Sequence, residues 1–341
     1  MTQEPRVTDV SGASARRGFG RRAVLRGAAL GAAVPLVPAT APTAAAAADT
    51  SRRGREPDAG AVTLRWLGTA GWRIDVGART VLFDPYLTRF PTGLFGDGFD
   101  PRTPLLSRPE AVDPHIGRPE LVLVSHSHWD HLADVPHIAR TTGARVVGTE
   151  TTYHLLVALG VEAGQISVVK GGEVLDLGGI VVEVVPSLHS RNKKCSYFAP
   201  GTLNAPPAAV PATIADLPEG DTLAFQVTAG ADGPSAFLMG ASDFSERAVR
   251  GLRPDLAMIA VPSGTATHLY LPRLLRALDH PRVAVPVHWD NFEVPLGTPV
   301  RDPAMDLDAF LAGVRQASPA TRVVVPDHRT VYDGALRPVR A

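Results

Sequence analysis

From residue 62 onward, short apolar runs alternate with segments of helical periodicity. Runs at 62–67, 72–76 and 80–83, separated by glycine-containing turns, predict three strands. Residues 121–124 form the continuous apolar run expected of a buried strand. Helix, strand and helix are then predicted over 135–140, 145–149 and 151–159. The β-branched run 180–185 predicts another strand, as do 222–228 and 236–239. A helix at 246–252, a strand at 256–261, a helix at 271–278 and a strand at 283–287 follow. A helix at 306–317 and a strand at 322–325 close the chain. Repeated alternation of this kind points to a layered α/β fold. Two long segments stand outside the pattern, 85–119 and the proline-rich 190–220. Long irregular stretches inside a compact domain are usually functional, so both are expected to rim a substrate cleft.

Composition adds little to the fold but narrows the partners. The 341 residues are 45% hydrophobic and formally neutral. That neutrality mixes two regions: residues 1–48 hold six arginines against Glu4 and Asp9, which leaves 28 basic and 32 acidic groups in the remainder. A mildly acidic body without a basic stripe gives no electrostatic reason to expect nucleic acid or an anionic membrane. Cys195 is the single cysteine, so no intramolecular disulfide can form.

The first fifty residues read as an address. Arg21-Arg22 precedes a short apolar run over 27–37, and the alanine-rich 39–48 offers Ala-x-Ala cleavage sites. This is the layout of a twin-arginine signal peptide over 1–48, followed by a polar linker at 49–60 and one catalytic domain at 61–341. It implies the twin-arginine export machinery as a partner and a periplasmic or extracellular destination. The apolar run is short and interrupted by Pro35, so no stable membrane anchor is expected.

Histidine carries the chemistry. Three of the eleven lie within His126-Ser127-His128-Trp129-Asp130-His131, directly after the run 121–124. A lone histidine is usually a satisfied core or surface residue. Three histidines and an aspartate in six residues after a buried strand are hard to explain by packing. Imidazole and carboxylate are the ligands of a catalytic zinc site that keeps one position open. His126 and His128 can reach one ion while Asp130 and His131 turn toward a second.

His-x-His-x-Asp-His after a buried strand resembles the signature of the metallo-β-lactamase superfamily, and the likeness runs over 62–330. It implies a four-layer αββα sandwich. It also implies a third histidine after the next long strand, His189, a bridging aspartate, Asp243, and a last histidine after a late strand, His288. On that pattern His126, His128 and His189 hold the first ion, Asp130, His131 and His288 the second, and Asp243 both. Asp84, in Phe83-Asp84-Pro85, fits the upstream aspartate that supports the histidine loop, or else a plain turn residue. Trp66-Leu67-Gly68-Thr69-Ala70-Gly71-Trp72 resembles the branch related to ascorbate-6-phosphate lactonase and to N-acylphosphatidylethanolamine phospholipase D.

The resemblance implies a hydrolase with two divalent ions, zinc first, manganese or iron also suited. Such a pair lowers the pKa of a shared water from about 15.7 to near 7 and makes it the nucleophile. The substrate expected is a small-molecule or lipid-like phosphodiester, lactone or related ester. Asp130 and Asp243 would orient or deprotonate the water, and His268 would serve as proton donor, with Tyr270 beside it; a helix-capping or surface role is the plainer reading of both. Two other classes fit the same ligands: an iron-containing oxidoreductase, and a metal-binding protein without turnover. His115, His137, His154, His280 and His328 stand outside any ligand spacing and read as structural or solvent-facing.

Overall fold

The structure is a computed structural model and describes residues 62–96, 98–230 and 233–339. The leader and linker expected over 1–48 and 49–60 lie outside these residues. In chain order the elements are β1 (Val62–Trp66), β2 (Trp72–Val76), β3 (Arg79–Phe83), α1 (Pro109–Ile116), β4 (Leu121–Leu123), α2 (Trp129–Leu132), α3 (Val135–Thr142), β5 (Arg145–Gly148), α4 (Glu150–Ala158), β6 (Ile166–Val168), β7 (Val174–Asp176) and β8 (Ile180–Leu188). They continue as β9 (Leu223–Ala229), β10 (Ser235–Met239), β11 (Asp243–Phe244), α5 (Glu246–Val249), β12 (Leu256–Ala260), α6 (Tyr270–Ala277), β13 (Val283–Val287), α7 (Leu307–Ala317), β14 (Arg322–Val323) and β15 (Tyr332–Asp333). No described helix is long and apolar enough to cross a membrane.

The strands form two mixed sheets. The first runs β15-β1-β2-β3-β4-β5-β6, antiparallel from β15 to β3 and parallel from β3 to β6. The second runs β11-β8-β9-β10-β12-β13-β14, with β7 beside β8 and parallel pairing from β10 to β14.

Side-chain alternation explains why these segments are strands. Val81 and Phe83 of β3 and Leu121 and Leu123 of β4 enter the core between the sheets. Leu82 and Val122, their neighbours in sequence, enter a second core on the outer face. A strand covered on both sides has no polar face, which is why 121–124 reads as unbroken apolar sequence. The second core is closed by Val112 and Ile116 of α1, Ile138 of α3, and Leu155 and Leu156 of α4. On the other side Leu274 and Leu275 of α6 and Phe310 and Val314 of α7 cover the second sheet. The layers are helix, sheet, sheet, helix, as the resemblance implied.

The two long loops are tied down. The buried Asp134 carboxylate accepts the Leu87 and Thr88 N–H groups at 2.7 and 2.8 Å and the Ser107 hydroxyl at 2.8 Å. Segment 85–119 also holds α1, which its prolines hid: Pro109 sits in the first helical turn, where a missing N–H costs nothing. The loops meet each other where Leu105 donates to the Ala212 carbonyl at 2.9 Å and Ile214 to Thr103 at 3.0 Å.

A buried ion pair fixes the end of β13. Arg89 Nη2 lies 2.7 Å from Asp290 Oδ2, with side chains 1% and 0% exposed. Arg89 also donates to the Asn291 and Val294 carbonyls, and Asp290 accepts the Thr69 N–H at 3.0 Å. Gly68 is glycine because a Cβ there would overlap the Arg89 guanidinium, and because its φ is +82°. Removing one partner of such a pair strands the other charge. Arg89→Ala is expected to lower unfolding stability by about 3–5 kcal/mol in urea titration; a loss below about 1 kcal/mol would show that Asp290 finds other compensation.

Candidate metal centre

Six of the expected ligands converge at one edge of the sandwich, where β4, β8 and β13 end. The ligand atoms of His126, His128 and His189 lie within 4.8 Å of one another, as do those of Asp130, His131 and His288. The groups adjoin: the His126 and His131 rings are 4.0 Å apart, and the His131 and His288 rings 5.4 Å. Asp130 Oδ2 lies 3.0 Å from His288 Nε2 and 3.5 Å from His131 Nε2.

Four of these imidazoles are held through one nitrogen, leaving the other for the centre. His131 Nδ1 is 2.8 Å from Asp84 Oδ2. His126 Nδ1 is 3.0 Å from the Ser125 hydroxyl, which donates to the same Asp84 oxygen at 2.5 Å. The other Asp84 oxygen accepts the Ser125 N–H at 2.7 Å. His189 Nδ1 donates to the Ser190 carbonyl at 2.8 Å, and His128 Nε2 faces the Ala199 carbonyl at 3.4 Å. Ligating histidines are normally oriented this way. Among the described residues His288 Nδ1 is buried without a hydrogen-bond partner; its backbone N–H donates to the Thr69 carbonyl at 2.7 Å. These donor sets fit divalent ions: three imidazoles in one group, two imidazoles and a carboxylate in the other.

The electrostatics agree with that fit. Burial first, then the neighbouring imidazoles, holds His126 far below the usual histidine range and His128 at about 3, so both are neutral donors. Burial and His131 also keep His189 low, against the Ser190 hydrogen bond and the Glu219 charge. For Asp130, burial opposes ionisation but His131 and His288 outweigh it and keep the carboxyl low. For His131, burial is outweighed by Asp130 and Asp84, which raise it.

Backbone strain gathers here. His288 (φ +63°), Asp84 (φ +40°), Thr69 (φ +52°) and Ala199 (φ +40°) are all non-glycine residues in the left-handed region. Such conformations persist where surrounding structure over-determines them.

Asp243 is in neither group. It starts β11, where it pairs with Leu188 of β8, and cross-strand partners share a face. Leu188 is 45% exposed, and Asp243 is half-buried beside it. Its carboxylate accepts the Phe244 N–H at 2.8 Å. Burial pushes its pKa up, against that hydrogen bond and the cations Arg273 and Arg191. His268 is exposed, and its carbonyl accepts from Arg273. Tyr270 is buried with its hydroxyl on the Ala260 carbonyl at 2.9 Å, a packing role. Asp243 thus lies outside the two groups as they stand, His268 is solvent-facing, and the Tyr270 hydroxyl is spent on a packing contact. His328 is structural as expected, tilted against the Trp66 ring at 4.5 Å and 3.3 Å from Asp290.

The segment 190–220 borders the centre. Tyr197 stacks on His189 at 4.5 Å, and Phe198 packs against His128, Trp129 and Phe99. Beside His189 opens a cavity of about 500 Å³ with Lys170, Arg191, Tyr197, Glu219 and Asp221 in its lining. Ser125, Thr69, Tyr197 and Ala199 were missed in the sequence because they act through backbone atoms, a hydroxyl or a ring face. The only hint was the glycine-rich run around Thr69.

Two substitutions test this geometry. Asp130→Ala is expected to lose the second ion and Asp243→Ala to retain both, read by elemental analysis of the purified chain; loss of metal from Asp243→Ala alone would reverse the placement. A Cβ at Gly240 would lie 2.6 Å from Asp84 Oδ2 and overlap the Ser125 hydroxyl. Gly240→Ala is therefore expected to weaken metal affinity by about 10–100-fold, the cost typical of outer partners, in a competitive chelator titration.

Comparison with known proteins agrees with the fold. Residues 63–202 match the family model described as a beta-lactamase superfamily domain. A UPF0173 metal-dependent hydrolase of Cupriavidus taiwanensis is 29% identical over 309 residues, covering 88% of this chain and 94% of the relative. A metallo hydrolase from the archaeon Ignicoccus hospitalis has a similar fold, with a TM-score of 0.52 at 21% identity over 80% of this chain and 97% of that one. So does CmlA, a diiron β-hydroxylase from Streptomyces venezuelae, with a TM-score of 0.51 at 15% identity over 84% of this chain and 55% of that one. Sandwich and histidine loop together are those of the metallo-β-lactamase fold, and residues 63–202 are similar in sequence to its beta-lactamase superfamily domain.

Proposed function

We propose that the chain is a metal-dependent hydrolase that cleaves a phosphodiester, lactone or related ester, with zinc as the first-choice ion in each group. The observation that carries this reading is the convergence of six buried ligands, most of them with a second nitrogen already anchored. The metal-dependent hydrolase of Cupriavidus taiwanensis, similar along nearly its whole length, supports it. The twin-arginine pattern of residues 1–48 supports export of the folded, loaded protein to the periplasm or beyond.

The two groups would hold divalent ions, which would supply Lewis acidity and lower the pKa of water at the centre toward neutrality. The chain's own residues do the rest. His126, His128 and His189 enter as neutral donors and so keep the first group's net charge that of the ion alone. Asp130, held ionised by His131 and His288, is the carboxylate at the centre and the group best placed to orient a water there. Asp84 keeps the imidazoles aimed, so no reorganisation is needed when charge develops. The cavity beside His189 receives the substrate, and Phe198 and Trp129, with Phe99 packed on both, wall the first group at His128.

The test is turnover of a bis(p-nitrophenyl) phosphate and lactone panel, with and without chelator, alongside metal content. His128→Ala and Asp130→Ala should each reduce kcat/KM by about 100-fold or more while the far-ultraviolet circular dichroism is retained. Wild-type rates in either variant would sink the reading.

A further inference from the structure

The proline-rich segment 190–220 does more than border the centre. Its residues Tyr197 and Ala199, together with Glu219 at its far end, reach two ligands of the three-imidazole group, His189 and His128, and the loop between His126 and His128. Tyr197 lies over the His189 ring at 4.5 Å with planes 27° apart, while Ser190 holds that ring in its plane. The Tyr197 hydroxyl donates to Glu219 Oε2 at 3.0 Å, and the Thr222 hydroxyl donates to Oε1 at 2.5 Å. Glu219 is 8% exposed, and its backbone closes the circuit. Its N–H donates to the Ala199 carbonyl at 2.9 Å, the carbonyl that faces His128 Nε2. Its own carbonyl accepts the N–H of Ser127, between His126 and His128, at 2.9 Å. Ala199 holds a left-handed backbone to do this.

We propose that Tyr197 and Glu219 are positioning residues for the three-imidazole group: a clasp that fixes the His189 ring face, the His128 ring and the loop carrying both early histidines. The proposal rests on that group being a metal centre but not on which bond the protein cleaves. A buried carboxylate satisfied by two hydroxyls is costly to build for packing alone, since both oxygens must be desolvated and then paired. Here three hydrogen bonds of Glu219, with Tyr197, Ala199 and Ser127, end on residues that touch or adjoin a ligand. The clasp acts as the outer partners of metal-bound histidines do, through orientation and tautomer, and its loss should cost on the same scale.

The experiment loads the purified chain with Co²⁺ and follows its release to a chelator, together with the visible absorption band of the bound ion. The phase belonging to the three-imidazole group is identified from Asp130→Ala protein, in which the second group is broken. Tyr197→Ala should release that ion about 10-fold faster or more and shift the band. Tyr197→Trp, which keeps a ring over His189, should restore most of the retention. Tyr197→Phe and Glu219→Gln, which preserve shape, should fall between, and they carry the test if Tyr197→Ala does not fold. Release at the wild-type rate with an unaltered band in Tyr197→Ala overturns the proposal. So does a set of variants whose release rates simply follow the lowered melting temperature of the metal-free chain. A protein that takes up no Co²⁺ overturns the metal centre itself, whereas normal uptake without turnover of any ester overturns only the hydrolase reading.

Discussion

The site depends on one carboxylate. Asp84 sits at the end of β3 in a left-handed conformation and is fully buried. It takes the N–H and hydroxyl of Ser125 and the Nδ1 of His131, and through Ser125 it also orients His126. One side chain therefore aims a histidine in each group. A buried carboxylate survives only if its lone pairs are filled, and here the partners that fill them are the scaffold of the centre. The side-by-side, parallel pairing of β3 and β4 makes this reach short.

A second network does for the late histidine what Asp84 does for the early ones. Arg89, Asp290 and Thr69 lock together three loops distant in sequence, and the Thr69 carbonyl holds the His288 backbone. Asp290 stays ionised, its pKa held at about 2; burial opposes this, and His328 and Arg89 overcome it. The glycines at 68 and 240 are where backbone must pass close to these charged groups. The two ion groups so formed are unequal. One is wholly imidazole, the other carries the single carboxylate, and the carboxylate of Asp243, in neither group, accepts the Phe244 N–H.

Much of this was legible in the sequence. Strand and helix periodicity located the main elements within a few residues, because both sheets are buried on two faces and their apolar runs are long. The histidine loop was legible because its density has no packing explanation, and His189 and His288 were implied by the resemblance, which sets a histidine after each of two later strands. The strand that carries Asp243 was not legible, because β11, two residues long, has no periodicity to read. Helix α1 was hidden by Pro109, which belongs in a helix start, and by Pro114 inside it, and β7 and β15 are too short to show alternation. Tyr197 and Glu219 were invisible because their roles arise from a loop folding back on a distant strand, a tertiary event with no local pattern.

Each ion group draws ligands from both sheets: His126, His128, Asp130 and His131 follow the first, His189 and His288 the second. An occupied centre is thus a cross-link between the two halves of the sandwich, closing long chain loops in a protein whose lone cysteine allows no intramolecular covalent bridge. Such closure removes freedom mainly from the unfolded ensemble, and any ligand that binds only the native state stabilises it by mass action. Occupancy and global stability then rise and fall together, and the melting temperature becomes a gauge of loading.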